Sequence, residues 1–423
     1  MAIIHIAVHV ERGSIMSDLG WKQSVLQGVG SRIEIMAGLH PRAYLLLTTI
    51  LALTGFACLA LFPLLVLAGV AGMYHALVNA PDIAWSRLLA WILVTGLCAL
   101  VTYRIARFRP ALPAGVLLDR EQAAELFGLV EDTAEQYGGT GVDRIVVTGG
   151  YQLDIIKTPR TALPVWSTCS LVIGLPLMQC LSSQQFSCLL ARRLGQFSKR
   201  SNLLLNWLFE LRDIWPRYTT PYIRTDPGFL PVHLLFSVYA PFYRAISTAA
   251  ARLDELQADS YAMEVCSDEE VLETITVDAV HRLFLREKYW PAIRKLGMRQ
   301  AAAITRTNSG IVTVLRTGLQ EGRIEEWIGK VMSMEQQWND PYPFLAQRLD
   351  NIGHAHARMQ ARKGESAAED YLPESGQPIK AALENLPSPR YPQAQPWSAH
   401  MAGLKRKLES AIHSLHAGEV NQG

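Results

Sequence analysis

Two apolar runs near the start of the chain stand out from the rest of its pattern. From Ala43 to Pro81 no side chain is charged, and His75 is the only histidine in the run. A helix needs roughly 20 apolar residues to cross the hydrocarbon core of a bilayer, so this run spans with length to spare. Pro63 marks a place for a kink, and the stretch from Tyr74 onward suits the membrane interface. The second run, Leu88 to Tyr103, is shorter. Its flanking Arg87 and Arg104 reach outward on aliphatic stems, and Trp85, Trp91 and Tyr103 suit interfacial anchoring. A buried core helix is the competing reading. The pattern predicts a transmembrane hairpin over 43–104, with the lipid bilayer as its solvent.

Arg32 and Arg42 precede the hairpin, and Arg104, Arg107, Arg109 and Arg120 follow it, whereas the connecting loop holds only Arg87 beside Asp82. Positive-inside bias therefore puts both termini and the main body in the cytoplasm, with 1–42 as a cytoplasmic N-terminal segment. The apolar run starts too late and is too long for a cleavable signal peptide. Met16 is an alternative start.

Pro110, Pro113 and Gly115 mark the exit from the membrane. Arg120 to Tyr137 has helical periodicity, with Ala123, Leu126, Leu129, Val130 and Ala134 along one side. Arg144–Thr148 and Leu171–Gly174 read as short strands, and Gly149-Gly150 as a turn. Ser182 and Gln185 form the S-x-x-Q pattern of a capping box, opening a helix whose apolar pattern runs through Phe186, Leu190 and Phe197 toward Trp207 and Leu211. Further helices are predicted over Leu234–Val265, Glu269–Trp290 and Ile311–Met334. Residues 364–396, rich in Pro, Ser, Glu and Ala, read as a linker. An amphipathic helix, Trp397–His416, carries Leu404, Leu408, Ile412 and Leu415 on one side. There is no internal repeat.

Composition changes this picture little. Of the 423 residues 49% are hydrophobic, which is high for a wholly soluble chain and fits a soluble body joined to a membrane region. The formal net charge of +2 implies no nucleic-acid partner. The six cysteines form no C-x-x-C pair, so a thiolate zinc site or disulfide framework is not indicated and a reducing compartment fits.

Three segments carry the chemistry. Leu171 to Met178 (LVIGLPLM) and Leu181-Ser182 precede Ala191 to Phe197 (ARRLGQF). Some 60 residues later comes Ala251 to Asp259 (ARLDELQAD), and later still Asp340 to Leu349 (DPYPFLAQRL). In order and spacing they resemble membrane zinc metallopeptidases of the HtpX and CAAX-prenyl-protease type, whose helix carries A-H-E-L-G-H-F, followed by E-x-x-A-D and D-x-H-P-x-L-x-x-R-L. The resemblance covers roughly residues 40 to 350. It implies an α+β zincin-like fold, mainly α with a small β-sheet, in a metallopeptidase-like domain at 111–350 behind the hairpin, and a place in a bacterial inner membrane.

Carried over position by position, the first zinc imidazole falls at Arg192, the general base at Arg193 and the second imidazole at Gln196. Glu255 keeps the third ligand, and Asp259 is also kept. The later histidine falls at Tyr342, while Arg348 matches. The cleft edge corresponds to about Tyr151–Ile156, with Gln152 and Leu153 in place of Asn-Ala.

A zincin needs two imidazoles one helical turn apart, a third ligand and a glutamate to activate water. A guanidinium offers donors only and stays protonated, so Arg192 cannot ligate zinc and Arg193 cannot accept a proton. Gln196 offers a poor carbonyl ligand. No catalytic residue, metal or cofactor is therefore expected. Glu255 without a metal is a costly buried carboxylate, and a salt link from Arg192, with Asp259 beside it, would replace zinc as the bond between the two helices. The bland alternative turns both arginines to solvent with Lys199 and Arg200. An improvised zinc set of Cys188, His233 and Glu255 is conceivable, and His354 with His356 forms a weak H-x-H pair.

These readings make the chain a membrane-anchored, non-catalytic metallopeptidase homologue with a binding or regulatory role. Its partner would be a peptide, a membrane-protein segment or an active paralogue, with Gln152, Leu153, Tyr342 and Arg348 as cleft candidates. The alternatives are an active zinc metalloendopeptidase with a non-standard ligand set, and a structural membrane protein.

Overall fold

The computed structural model describes residues 27–78, 85–108, 112–138, 141–159, 167–198, 201–219, 227–295, 309–319, 323–336, 340–359, 365–372 and 376–385. The chain divides into two units, one of Met1–Arg32 with Pro389–Gly423 and the other of Ile33–Ser388. In the first unit only 27–32 is described; it is helical, with the Ser31 hydroxyl donating to the Gln27 carbonyl. The alternative start at Met16 and the helix expected at Trp397–His416 lie outside the described residues.

The second unit is mainly helical, with one small mixed sheet. It begins with two antiparallel helices, α1 (Pro41–Val78) and α2 (Trp85–Arg107), of mean hydropathy 2.6 and 1.9 in their most apolar windows. Both are long and apolar enough to cross a membrane. Only 11% and 17% of those windows are buried, so neither is the core helix of a compact body. Pro63 lies inside α1 without ending it. A Cβ at Gly69 would come within 1.9 Å of the Thr95 hydroxyl, so the missing side chain lets α1 and α2 touch there.

At about 1.5 Å per residue α1 is longer than a bilayer core. Its first turns join the body instead. Tyr44 Oη donates to the Ile246 carbonyl at 2.9 Å and accepts from the Ala250 amide at 2.8 Å. Phe56 meets Trp215 edge-on at 4.9 Å.

The sheet has the order β1-β2-β4-β3. β1 (Val116–Leu117) pairs antiparallel with β2 (Arg144–Thr148), which runs parallel to β4 (Ser167–Gly174). β3 (Leu153–Pro159) lies antiparallel to β4 at the opposite edge from β1. Ile145, Val147, Leu153, Ile155, Leu171 and Ile173 alternate into the core beneath α3 (Ala124–Gln136), as the period of two requires. The sequence pattern had marked only β2 and part of β4 as strands.

Several helices end sooner than periodicity predicts. The helix from Ser182 does open with its capping box, as α5 (Ser183–Gln196) after the short α4 (Leu175–Cys180). It stops before Asn202, whose side chain accepts from the Leu204 and Leu205 amides and starts α6 (Leu203–Arg217). The predicted helix over 234–265 is two, α7 (Leu230–Ile246) and α8 (Thr248–Ala262), separated at Ser247. A second capping box, Ser267 with Glu270, opens α9 (Asp268–Phe284), which continues through a π turn into α10 (Trp290–Lys295). The predicted 311–334 helix is also two, α11 (Ser309–Gly318) and α12 (Ile324–Met332). α13 (Leu345–Asn351) follows.

The segment read as a linker requires correction. It contains α14 (Ala367–Tyr371) and α15 (Gly376–Asn385), and Ala367, Ala368, Leu372, Ile379 and Leu383 join the core that packs on the sheet. A third capping box, Ser366 with Glu369, nucleates α14 despite the polar composition. The body therefore extends beyond residue 350.

Candidate functional site: a buried guanidinium–carboxylate cluster

α5 and α8 pack side by side under the sheet. They approach closely because position 195 is glycine: a Cβ there would sit 2.5 Å from the Tyr261 Cβ. This contact places the last turns of α5 against Asp254, Glu255 and Asp259 on α8, and all three carboxylates are buried.

Arg192 donates from Nε to Asp259 Oδ1 at 2.6 Å and from Nη2 to both the Glu255 carboxylate and, at 3.3 Å, its carbonyl. Arg193 is equally buried, not turned to solvent. Its Nη1 donates to Glu255 Oε1 at 2.9 Å and Gln196 Oε1 at 2.8 Å, and its Nε donates to the Leu153 carbonyl at 3.2 Å. Gln196 uses its amide nitrogen on Asp254 Oδ2 at 2.5 Å. Arg348 on α13 grips Asp259 with two bonds of 2.8 and 2.7 Å. Glu255 is thus shared by two guanidiniums, and so is Asp259.

Burial by itself pushes the Glu255 carboxyl up, but Arg192 and Arg193 more than reverse this and hold it well below the usual carboxylate range. For Asp259 burial is likewise overcome, by Arg348 and Arg192, and its pKa is lowered. Asp254 has no guanidinium in contact. Burial dominates there and raises it to about 7, against the hydrogen bond from Gln196. On the neighbouring helix α9, burial lowers His281 to about 4, and its Nδ1 lies 2.9 Å from Tyr151 Oη.

The donor set does not fit zinc. Arg192 and Arg193 supply only N–H groups, both Glu255 oxygens accept from guanidiniums, and the Gln196 carbonyl oxygen accepts from Arg193. Among the described residues no three His, Cys, Asp or Glu side chains cluster in a way that could hold a metal. Cys188 instead lies in an apolar core with Cys266, and His233 packs on α7 among residues of a different core. His356 is exposed beyond α13.

The cleft candidates separate. Leu153 is 2% exposed in the sheet core and contributes only its carbonyl, a correction that follows from the inward phase of β3. Arg348 belongs to the buried cluster, not to a cleft wall. Gln152 is half-buried and donates to the Thr148 hydroxyl at 3.1 Å. Tyr342 is 46% exposed. Sequence reasoning had not placed Arg193, Asp254 or Arg348 in the cluster. The one available signal was that their positions fall a helical turn from Gln196, Ala258 and Leu345, all of them inward-facing.

Fold and site together define a mainly helical protein with two membrane-length apolar helices, a small mixed sheet and a buried ion cluster joining α5, α8 and α13. Compared with protein-family models, with curated proteins and with solved structures, the chain finds no match.

Proposed function

We propose that this chain is a membrane-anchored, non-catalytic relative of the zinc metallopeptidases that binds a peptide or membrane-protein segment beside the β3 edge of its sheet. One observation carries the reading. At the three positions where the resembling family places two imidazoles and a general base stand Arg192, Arg193 and Gln196, all buried and hydrogen-bonded to acidic residues of α8. A cluster so saturated with N–H donors has neither a vacant ligand for zinc nor a base to activate water. β3 is an edge strand that adjoins the cluster through Leu153, whose carbonyl accepts from Arg193, and an edge strand is suited to pairing with an extended segment.

The membrane reading rests on α1 and α2, with both termini and the body on the arginine-rich cytoplasmic side. A further feature supports it. α7 leaves Leu230, Leu234, Val238 and Phe242, spaced four apart, between 38% and 69% exposed on a helix that meets α1 through the bond from Tyr239 Oη to the Leu51 carbonyl at 2.5 Å.

The test uses full-length protein purified in detergent, with zinc measured by elemental analysis and cleavage of an unfolded substrate protein followed by gel. Substoichiometric zinc and no cleavage are the expected results. Stoichiometric zinc, lost together with peptidase activity in Glu255→Ala, would establish an active metallopeptidase with a non-standard ligand set.

A further inference from the structure

The guanidiniums of the cluster are not all spent on carboxylates. A small, open-mouthed pocket beside the cluster is lined by Leu153, Leu189, Arg192, Arg193, Asp278 and Arg282. Arg192 uses Nε and Nη2, and Arg193 uses Nε and Nη1. Arg282 gives its Nε to both oxygens of Asp278 at 2.9 Å each. Among the described residues, Arg192 Nη1, Arg193 Nη2 and the two Nη atoms of Arg282 donate no hydrogen bond. The half-exposed Asp154 stands 3.7 Å from Arg193 Nη2, beyond hydrogen-bond length.

The wall presents three guanidiniums whose carboxylate partners, Glu255 and Asp259 for the α5 pair and Asp278 for Arg282, leave these Nη atoms without an acceptor among the described residues. Unspent N–H donors on fixed cations form the recognition chemistry of an oxyanion. The pocket has room for little more than one water-sized group, so one oxygen of a carboxylate enters it.

We propose that this pocket is a carboxylate-binding site, which takes the acidic side chain or C-terminal carboxylate of an extended peptide lying along β3. The proposal rests on the reading of β3 as a peptide-binding edge, because Leu153 belongs to both. Binding involves no bond making or proton transfer. The incoming oxygen accepts hydrogen bonds from the free Nη groups.

The experiment titrates full-length protein in detergent with sodium acetate, tetra-alanine as free acid, tetra-alanine amide, and a capped alanine peptide containing one glutamate. Calorimetry gives affinity, and chloride at equal ionic strength is the control. A charged hydrogen bond is worth about 1.5–3 kcal/mol, so at least one carboxylate-bearing peptide is expected to bind about tenfold or more tighter than the amide. The preference between the two peptides identifies the source of the carboxylate. Arg282 is partly exposed, so Arg282→Gln is the first variant, and it is expected to abolish the discrimination. Should the lone Asp278 prevent folding, the neutral pair Asp278→Asn with Arg282→Gln serves instead.

Equal binding of acids and amide would overturn the carboxylate site while leaving the peptide-edge reading intact. Acetate binding that depends on Arg282, without any peptide binding, would uphold the site and overturn the peptide reading. Absence of binding by every probe would overturn both.

Discussion

Glu255 has no exposed surface, yet it remains ionised because two guanidiniums reach it from one turn of α5. Removing it leaves Arg193 without a hydrogen-bonded carboxylate and Arg192 with Asp259 alone. Breaking a buried pair by deleting one partner costs about 3–5 kcal/mol, so Glu255→Ala is expected to lower the denaturation midpoint by that order, as read from urea unfolding. A change below about 1 kcal/mol would show that Arg192 and Arg193 are solvated in solution. Asp254, beside it, behaves oppositely. Its folded pKa is raised to about 7 from an ordinary carboxylate value, so the folded state holds the extra proton between about pH 4 and 7. That stability is present in acid and is lost as pH rises through 7. His281 acts in the reverse sense: its pKa is lowered to about 4, so stability rises between about pH 4 and 6.5. The two slopes oppose in wild type, and the difference between wild type and Asp254→Asn isolates the carboxyl. Asparagine keeps a carbonyl for Gln196 and cannot ionise. It is expected to gain on wild type by up to about 2.7 kcal/mol between pH 5 and 8, measured as denaturation midpoints at both values. A gain independent of pH would place Asp254 in contact with water.

The joint between α5 and α8 depends on one missing side chain. In a solvent-facing helix, replacing glycine with alanine stabilises by about 1 kcal/mol. At Gly195 the added Cβ would press on the Tyr261 Cβ, which is fixed to its own backbone and cannot swing away. The helices must separate, and the ion cluster with them. Gly195→Ala is expected to lower stability by about 1–3 kcal/mol, a sign opposite to propensity, and calorimetric melting reads it directly. How much could be read beforehand divides along the same line between local and distant contacts. The capping box at Ser182, the apolar face of α3 and the two apolar helices were legible because each is written within a few residues. The breaks at Asn202 and Ser247 were not, because the apolar pattern runs through them and masks the cap that Asn202 supplies to the helix after it. β3 was invisible as a strand for a similar reason: its identity comes from pairing with β4, which lies later in the chain. Within the site, Arg192 could be assigned because the resemblance singled out Glu255 as a carboxylate for it to oppose. Arg193 and Arg348 find their partners 62 and 89 residues away, and no periodicity records that.

The assembly of hairpin, sheet and cluster can be tested by asking whether charge alone decides what occupies the space between α5 and α8. Arg192 and Arg193 bring two positive charges to the neighbourhood of Glu255, the same charge that a zinc ion would bring. Substituting Arg192→His, Arg193→Glu and Gln196→His together removes both, adds a carboxylate and supplies two imidazoles one helical turn apart. Without metal, the triple variant must bury Glu255 and the new glutamate with no cation between them, while Arg348 remains committed to Asp259. It is therefore expected to melt far below wild type in the presence of a chelator. Zinc restores the balance, and at a free concentration 100 times its Kd it should return about 2.7 kcal/mol of stability. Wild type, in which every Glu255 oxygen already accepts from a guanidinium, should melt at the same temperature with zinc or with chelator. A zinc-dependent rise in wild type would mean that the guanidiniums yield to the metal. A triple variant indifferent to zinc would mean that α5 and α8 do not hold the three ligands in tetrahedral reach. Recovery of zinc-dependent stability in the triple variant alone would show that α5 and α8 hold positions 192, 196 and 255 within reach of one metal ion.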